Sequence, residues 1–229
     1  MDTQLFDQNI EFFSNYGLYD PDFYLFNFMR SYPGKKLMDV GGGCGIFSSG
    51  VLDRFPSMDI TLVDPSEKLL AKADKRVHKV NGTLPNSLNV NGKFDYIHMH
   101  SVIHHLVGDS IKDSKNILKD SLLALRELLT DGGYLFLVDI FYDSYVLPSL
   151  TRTAIFYMLK AQKQLGIKIP HRAFLEGLEV CFYTRDELRS ILEDSGYEII
   201  AYREYPYRDS IARKALLLKG WGDMLYIAR

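Results

Sequence analysis

The sequence predicts an α/β protein, a mainly parallel sheet with helices on both faces. Three observations carry this. From Lys35 onward, short apolar runs alternate with amphipathic stretches, the pattern of βαβ units. The first run, Leu37-Met38-Asp39-Val40, ends in a glycine turn, Gly41-Gly42-Gly43-Cys44-Gly45. The second, Asp59-Ile60-Thr61-Leu62-Val63, ends in Asp64. A glycine turn between strand and helix lets the main chain approach a ligand closely. A carboxylate at the tip of the next strand accepts hydrogen bonds from ribose hydroxyls. Together they are how open α/β sheets hold a nucleoside.

The elements follow in order. Residues 1–33 are rich in aromatics, including Phe6, Phe12, Phe13, Tyr16, Tyr19, Phe23, Tyr24, Phe26, Phe28 and Tyr32. They read as one or two short helices broken near Gly17 and Asp20-Pro21. Such helices either fold as a lid over the sheet's carboxyl edge or pack on the sheet. A strand over 35–40 is followed by a helix over 45–55 that stops before Pro56. A second strand covers 59–63, and Ser66 is placed to cap a helix from Glu67 to Val77. Short strands are expected at His78–Val80 and Phe94–Met99. A long helix then carries Leu118, Leu122, Leu125 and Leu129 and ends at Gly132-Gly133. The run Tyr134–Val138 is apolar throughout, as a strand covered on both faces should be.

An insertion interrupts the alternation over about 143–181. It holds a helix from Ser149 to Leu165, stopped by Gly166, with Leu150, Ala154, Ile155, Met158 and Leu159 as its apolar stripe. A looser segment with Pro170 and His171 follows. Thr184-Arg185-Asp186-Glu187 is a capping-box pattern opening another helix, which Gly196 ends. Strands near 197–203 and 224–228 close the chain. Between them Arg208–Lys219 reads as a basic helix with Arg213 and Lys214, a solvated face or a source of an anion-pairing arginine.

Bulk properties bound the function. At 229 residues the chain fits one domain with a lid or insertion. A net charge of −2 gives no general attraction to nucleic acid or an anionic membrane. No apolar run approaches ~20 residues, the length needed to span a bilayer. The start Met1-Asp2-Thr3-Gln4 lacks a signal-peptide pattern, and Cys44 and Cys181 suit a reducing compartment, so a cytoplasmic location is expected.

The loop spacing narrows the ligand. A dinucleotide fingerprint needs glycine at its first, third and sixth positions, which here are Gly41, Gly43 and Ile46. The chain instead reads Asp39-x-Gly41-x-Gly43-x-Gly45, which resembles the S-adenosylmethionine loop of class I methyltransferases. Phe94–Leu106 is similar to the fourth-strand segment, Leu128–Asp139 to the long helix, glycine turn and fifth strand, and Phe182–Ile200 to the helix before the final hairpin, of the small-molecule enzymes of that family. The resemblance covers about 35–140 and 180–229 and leaves the lid and insertion uncovered. It implies a Rossmann-like seven-stranded, mostly parallel sheet with the last strand antiparallel. The expected division is an aromatic-rich helical lid, 1–33, and a methyltransferase domain, 34–229, with a helical insertion at about 143–181.

The resemblance also implies roles. Asp39, Gly41, Gly43 and Gly45 would line the methionine end of S-adenosylmethionine. Asp64 would hold the ribose hydroxyls, with Pro65 against the adenine. Gly82 and Thr83 would meet the adenine edge, although many relatives have an acid where Thr83 stands. His100 and Ser101 would flank the methionine portion.

S-adenosylmethionine carries its methyl on a sulfonium, so the protein must align the acceptor, exclude water and, for an oxygen acceptor, remove a proton. Histidine suits that task. Four of the six histidines, His98, His100, His104 and His105, fall between 98 and 105. His104 or His105 is the candidate base. Structural hydrogen bonding to the loop is the competing role. His98 and His100 share one face of a strand, but no Cys or Glu completes a metal set, so no metal is expected. Asp139 either contacts substrate or caps the next turn.

The reading is methylation of a small, partly apolar acceptor, at a hydroxyl oxygen. A different S-adenosylmethionine reaction, aminocarboxypropyl transfer or cyclisation, or a non-catalytic binding partner are the alternatives. No nucleic-acid or membrane partner is expected, and a monomer and a homodimer are both open.

Overall fold

In a computed structural model, which describes residues 7, 17–166, 178–208 and 217–229, the strands form one seven-stranded sheet. They are β1 (Lys36–Val40), β2 (Asp59–Asp64), β3 (His78–Asn81), β4 (Phe94–His100), β5 (Leu129–Ser144), β6 (Ile199–Pro206) and β7 (Leu218–Ala228). Their order is β3-β2-β1-β4-β5-β7-β6. The first five are parallel, and β7 runs antiparallel to both β5 and β6. The expected seven-stranded sheet with an antiparallel final strand is therefore present. The chain winds outward from β1 to β3, then returns to β4. The reversal lies between β1 and β4, and ligands of open α/β sheets bind at the carboxyl ends beside such a switch point.

Six helices cover the sheet among the described residues: α1 (Asp20–Ser31), α2 (Ile46–Arg54), α3 (Glu67–Lys72), α4 (Ile111–Arg126), α5 (Leu150–Leu165) and α6 (Arg185–Asp194). On one face Leu118, Leu122 and Leu125 of α4 pack in a core with Ile97, Met99, Leu135 and Leu137. On the other, Leu25, Phe26 and Met29 of α1 join Val51 of α2 against Leu37, Ile60, Phe136 and Val138. The central run Leu135-Phe136-Leu137 is wholly buried, because both its faces are covered.

The expected caps form. Ser66 Oγ accepts from the Leu69 amide at 3.2 Å. Thr184 and Glu187 exchange side-chain-to-backbone bonds at 3.2 and 3.0 Å. Gly166 ends α5 in a left-handed conformation.

Several expectations are corrected. Leu129 does not belong to the long helix; it opens β5, paired with Phe94. Helix α4 stops at Arg126, and Asp131-Gly132-Gly133 form a bulge inside the strand, with Gly132 at φ +86°. Helix α3 ends at Lys72, where Arg76 turns back onto the Asp74 carboxylate. Strand β7 starts at Leu218, so the end of the expected basic helix is strand. Residues 209–216 of that helix, with Arg213 and Lys214, lie outside the described residues, as do Phe6, Phe12, Phe13, Tyr16, Pro170 and His171.

The apolar stripe of α5 is also corrected. Leu150, Ala154 and Met158 are exposed, and the buried face is Thr151, Arg152, Phe156, Leu159 and Gln162. Arg152 pairs with Glu187 of α6, and Thr151 bonds to Ser144 of β5. Those polar anchors set the rotation of the helix.

The described N-terminal aromatics make two kinds of contact. Phe26 stacks on Phe47 with ring centroids 5.5 Å apart, and Phe28 meets Tyr134 and Phe136 on the sheet. Tyr19, just before α1, reaches the carboxyl end of β4 and lies edge-on to His100.

Candidate active site

The glycine turn joins β1 to α2 at the sheet's carboxyl edge. Gly41 has φ +69°, and a Cβ there would stand 2.4 Å from Val102 Cγ2. Only glycine lets the β1 loop and the loop after β4 approach this closely. Gly43, at φ +57°, is different: the nearest atom to its missing Cβ is Leu69 Cδ1, 3.8 Å away. The space beside its α-carbon is therefore open. Gly45, at φ +74°, precedes α2.

Asp64 ends β2 and holds this turn. Its Oδ2 accepts from the Gly43 amide at 2.9 Å and its Oδ1 from the Ser66 amide at 2.8 Å. Burial raises its pKa, against the lowering effect of those two amides. Each oxygen keeps a second lone pair, the acceptor capacity a ribose diol needs. Asn81 Nδ2 donates to the Pro65 carbonyl at 3.0 Å and the Gly82 amide donates to the Asp64 carbonyl at 3.2 Å. These bonds gather Asp64, Pro65, Gly82 and Thr83 at the tips of β2 and β3. The Thr83 hydroxyl contacts only the Leu84 carbonyl, at 3.4 Å, among the described residues.

At the tip of β4, Ser101 has φ +57°, a conformation that costs a non-glycine residue about 1–3 kcal/mol and clusters at functional sites. Its amide is tied to the Val138 carbonyl at 2.9 Å. Asp39 is buried: its Oδ2 accepts from Ser48 Oγ at 2.7 Å and its Oδ1 meets His98 Nδ1 at 2.8 Å. The Asp39 carboxylate thus braces the loop from below. His98 faces inward and stacks on Phe47 at 3.7 Å. His100 lies 3.7 Å from Asp22 Oδ1.

His104 and His105 sit in a short 3-10 turn, Ile103–His105, directly past β4. His104 Nδ1 lies 2.6 Å from Asp139 Oδ1, and Asp139 Oδ2 accepts from the Ile103 amide at 3.0 Å. A carboxylate only accepts, so the Nδ1 proton is held and the lone pair falls on Nε2. Asp139 therefore caps the turn and orients the ring at once. His105 lies with its ring 4.1 Å from that of His104. Burial and then the neighbouring His104 push its pKa well below the usual histidine value, so it is neutral.

An aromatic group adjoins this pair. Phe182 lies 5.2 Å from the His104 ring, Tyr142 lies 4.7 Å from Phe182, and Trp221 contacts Tyr142 and Tyr207. The β5–β7 register sets Trp221 opposite Tyr142 and Asp223 opposite Ile140. Tyr207 donates to Asp223 at 2.6 Å.

Comparison with known proteins decides the family. A family described as a methyltransferase domain matches residues 12–202. The chain belongs to that family. It is an enzyme, an S-adenosylmethionine-dependent class I methyltransferase.

Solved structures share the methyltransferase fold at low identity. A S-adenosylmethionine-dependent methyltransferase from Clostridium acetobutylicum aligns at a TM-score of 0.61 and 13% identity, covering 99% of this chain and 96% of its own. Magnesium protoporphyrin IX methyltransferase from Synechocystis, solved with S-adenosylhomocysteine, aligns at 0.57 and 15%, covering 90% and 80%. A Burkholderia thailandensis 1,6-didemethyltoxoflavin-N1-methyltransferase aligns at 0.58 and 15%, covering 99% and 84%. No curated protein matches the sequence.

The chemistry of the methyltransferase's turn is compatible with the methyl donor: the open space beside the Gly43 α-carbon and the spare lone pairs of Asp64 lie side by side. Sequence reasoning missed Asp22, Tyr142, Phe182, Trp221 and Asp223, and left Asp139 undecided. Only the aromatic density around Tyr142 and Phe182 was a signal. Among the described residues no helix is long and apolar enough to cross a membrane.

Proposed function

We propose that this methyltransferase methylates a hydroxyl oxygen of a small, partly apolar acceptor, with His104 as the proton-accepting group and Asp139 as the residue that positions it. The 2.6 Å contact between His104 Nδ1 and Asp139 supports this reading above all else. A ring held at one nitrogen by a carboxylate offers the other as a fixed acceptor, the arrangement general-base chemistry requires. His105, neutral and packed on His104, helps keep the site desolvated.

Bound S-adenosylmethionine supplies an activated methyl on its sulfonium. The main chain of Gly41, Gly43 and Gly45, braced from below by Asp39, would hold its methionine portion, with His100 and Ser101 beside it. Asp64, Pro65, Gly82 and Thr83 would hold its nucleoside. Thr83 offers a hydroxyl and no charge, so the adenine edge rests on fewer contacts there. Phe182, Tyr142 and Trp221 would receive the acceptor, and their flat faces suit an aromatic or otherwise planar molecule. Apolar recognition would then rest on β5, β7 and the segment leading into α6.

The test is a panel of hydroxylated and amino-bearing aromatic acceptors with product analysis. O-methylated product, lost in His104→Gln while S-adenosylhomocysteine still binds, supports the reading. Methylation only at nitrogen or carbon, or full turnover in His104→Gln, rejects it.

A further inference from the structure

We propose that Asp22, His98 and His100 form a site for a divalent transition-metal ion that clamps α1 to the tip of β4. One ligand atom from each residue lies within 4.8 Å of the other two. Asp22 and His98 are 2% and 1% exposed. Among the described residues, Asp22 Oδ1 and His98 Nε2 find no hydrogen-bond partner. A buried carboxylate oxygen and a buried ring nitrogen are both costly to leave unsatisfied. Both face the same small volume. A cation would satisfy them together.

The atoms on the far side of each ligand are already engaged. His98 Nδ1 meets Asp39 Oδ1 at 2.8 Å, and Ser48 holds the other Asp39 oxygen at 2.7 Å. That bond puts the proton on Nδ1 and the lone pair on Nε2, toward the cluster. A carboxylate behind a ligating histidine is the usual support of a metal site. Asp22 Oδ2 accepts from the Tyr19 amide at 2.8 Å, which leaves Oδ1 as the ligand atom. His98 and His100 are two apart on one strand, so they share a face. The Tyr19 ring stands edge-on to His100, 5.5 Å between centroids, and limits its movement. The His100–Asp22 separation of 3.7 Å is an ion-pair distance, longer than a hydrogen bond, so Asp22 Oδ1 stays without a hydrogen bond.

Two imidazoles and one carboxylate select zinc, iron(II), cobalt or nickel over magnesium and calcium, which take oxygen ligands. Three protein ligands leave a coordination position for water. The sequence showed only the two histidines as a pair. The third ligand comes from a helix that precedes β1 in the chain and reaches β4 only in the folded protein.

The full chain, stripped with chelator, is titrated with cobalt(II) and with zinc, and no methyl donor is added. One equivalent of cobalt with a visible d–d band is expected, and zinc should raise the melting temperature of the stripped protein. Asp22→Asn, which keeps the acceptor for the Tyr19 amide, and His100→Gln should each weaken the affinity by at least about 10–100-fold. No stoichiometric binding by the wild type overturns the proposal. So does binding that neither variant changes, which would put the ion elsewhere. If the variants fail to fold, X-ray absorption on the zinc-loaded wild type decides. Two imidazole nitrogens among the ligands support the site, and a sulfur or a single imidazole rejects it.

Discussion

Two histidine–carboxylate pairs flank β4, and they differ in what their second nitrogen faces. His98 meets Asp39 of β1 at 2.8 Å, and His104 meets Asp139 of β5 at 2.6 Å. Strand β4 lies between those two strands, so each neighbour supplies one acid. His98 is still in sheet register, opposite Asp39, and stacks under α2 on Phe47. His104 lies beyond the strand, in a turn, against His105 and Phe182. The chemical unit is the same. The ring inside the strand is fixed by packing on Phe47, with its Nε2 toward Asp22 and His100, and the ring past the tip lies beside Phe182.

The sharpest break of that contrast is a matched pair of variants. His98→Leu leaves the Asp39 carboxylate buried without its imidazole, and a loss of about 3–5 kcal/mol in denaturant-measured stability is expected. His104→Gln should instead cut turnover by about 10²–10⁴-fold while calorimetric affinity for S-adenosylhomocysteine stays the same. Equal effects of the two on both quantities would erase the distinction. Asp139→Asn should follow His104→Gln in direction.

Next in size is the cofactor side. Asp64→Ala should weaken S-adenosylmethionine binding by about 1.5–3 kcal/mol, the scale of a hydrogen bond to a charged group. Unchanged affinity would remove Asp64 from the ribose role. Within the glycine turn, Gly41→Ala meets Val102 at 2.4 Å, whereas Gly43→Ala meets nothing closer than 3.8 Å. Thermal unfolding should show a loss of about 1–3 kcal/mol for the first, from overpacking. The second should show a smaller loss in stability and a larger one in cofactor affinity.

The smallest effects are in pH. The His105 pKa is depressed, by burial first and then by His104. Below pH ~6.5 the unfolded chain takes up a proton there that the folded chain refuses, so stability falls with acidification. Burial alone would lower the pKa of His100, but the Asp22 carboxylate beside it, then Asp223 and Asp139, raise it. Its contribution is present below ~6.5 and is lost as pH rises through the folded value. Stability curves of His105→Gln and His100→Gln against pH should therefore lose opposite slopes.

The readings that came through intact are those set by near neighbours. The glycine turn, the acid ending β2, the caps at Ser66 and Thr184 and the stop at Gly166 each depend on a few adjacent residues. The misreadings are non-local. Leu129 continues the spacing of Leu118, Leu122 and Leu125, yet it pairs with Phe94 because a strand forms wherever a partner edge is available. The α5 stripe satisfies helical periodicity, yet the helix is turned by the Arg152–Glu187 pair, which periodicity cannot register.

The sequence by itself determined the parallel α/β wind, the glycine turn and Asp64, since strand–turn–helix periodicity and backbone freedom are properties of short segments. Tertiary structure alone decided which acid stands behind which histidine. Asp22, Asp39 and Asp139 come from three separate elements; the sheet order brings Asp39 and Asp139 to the end of β4, and the packing of α1 on the sheet brings Asp22. Charge pairing acts through space at about 3–4 Å, a distance that separation along the chain does not encode.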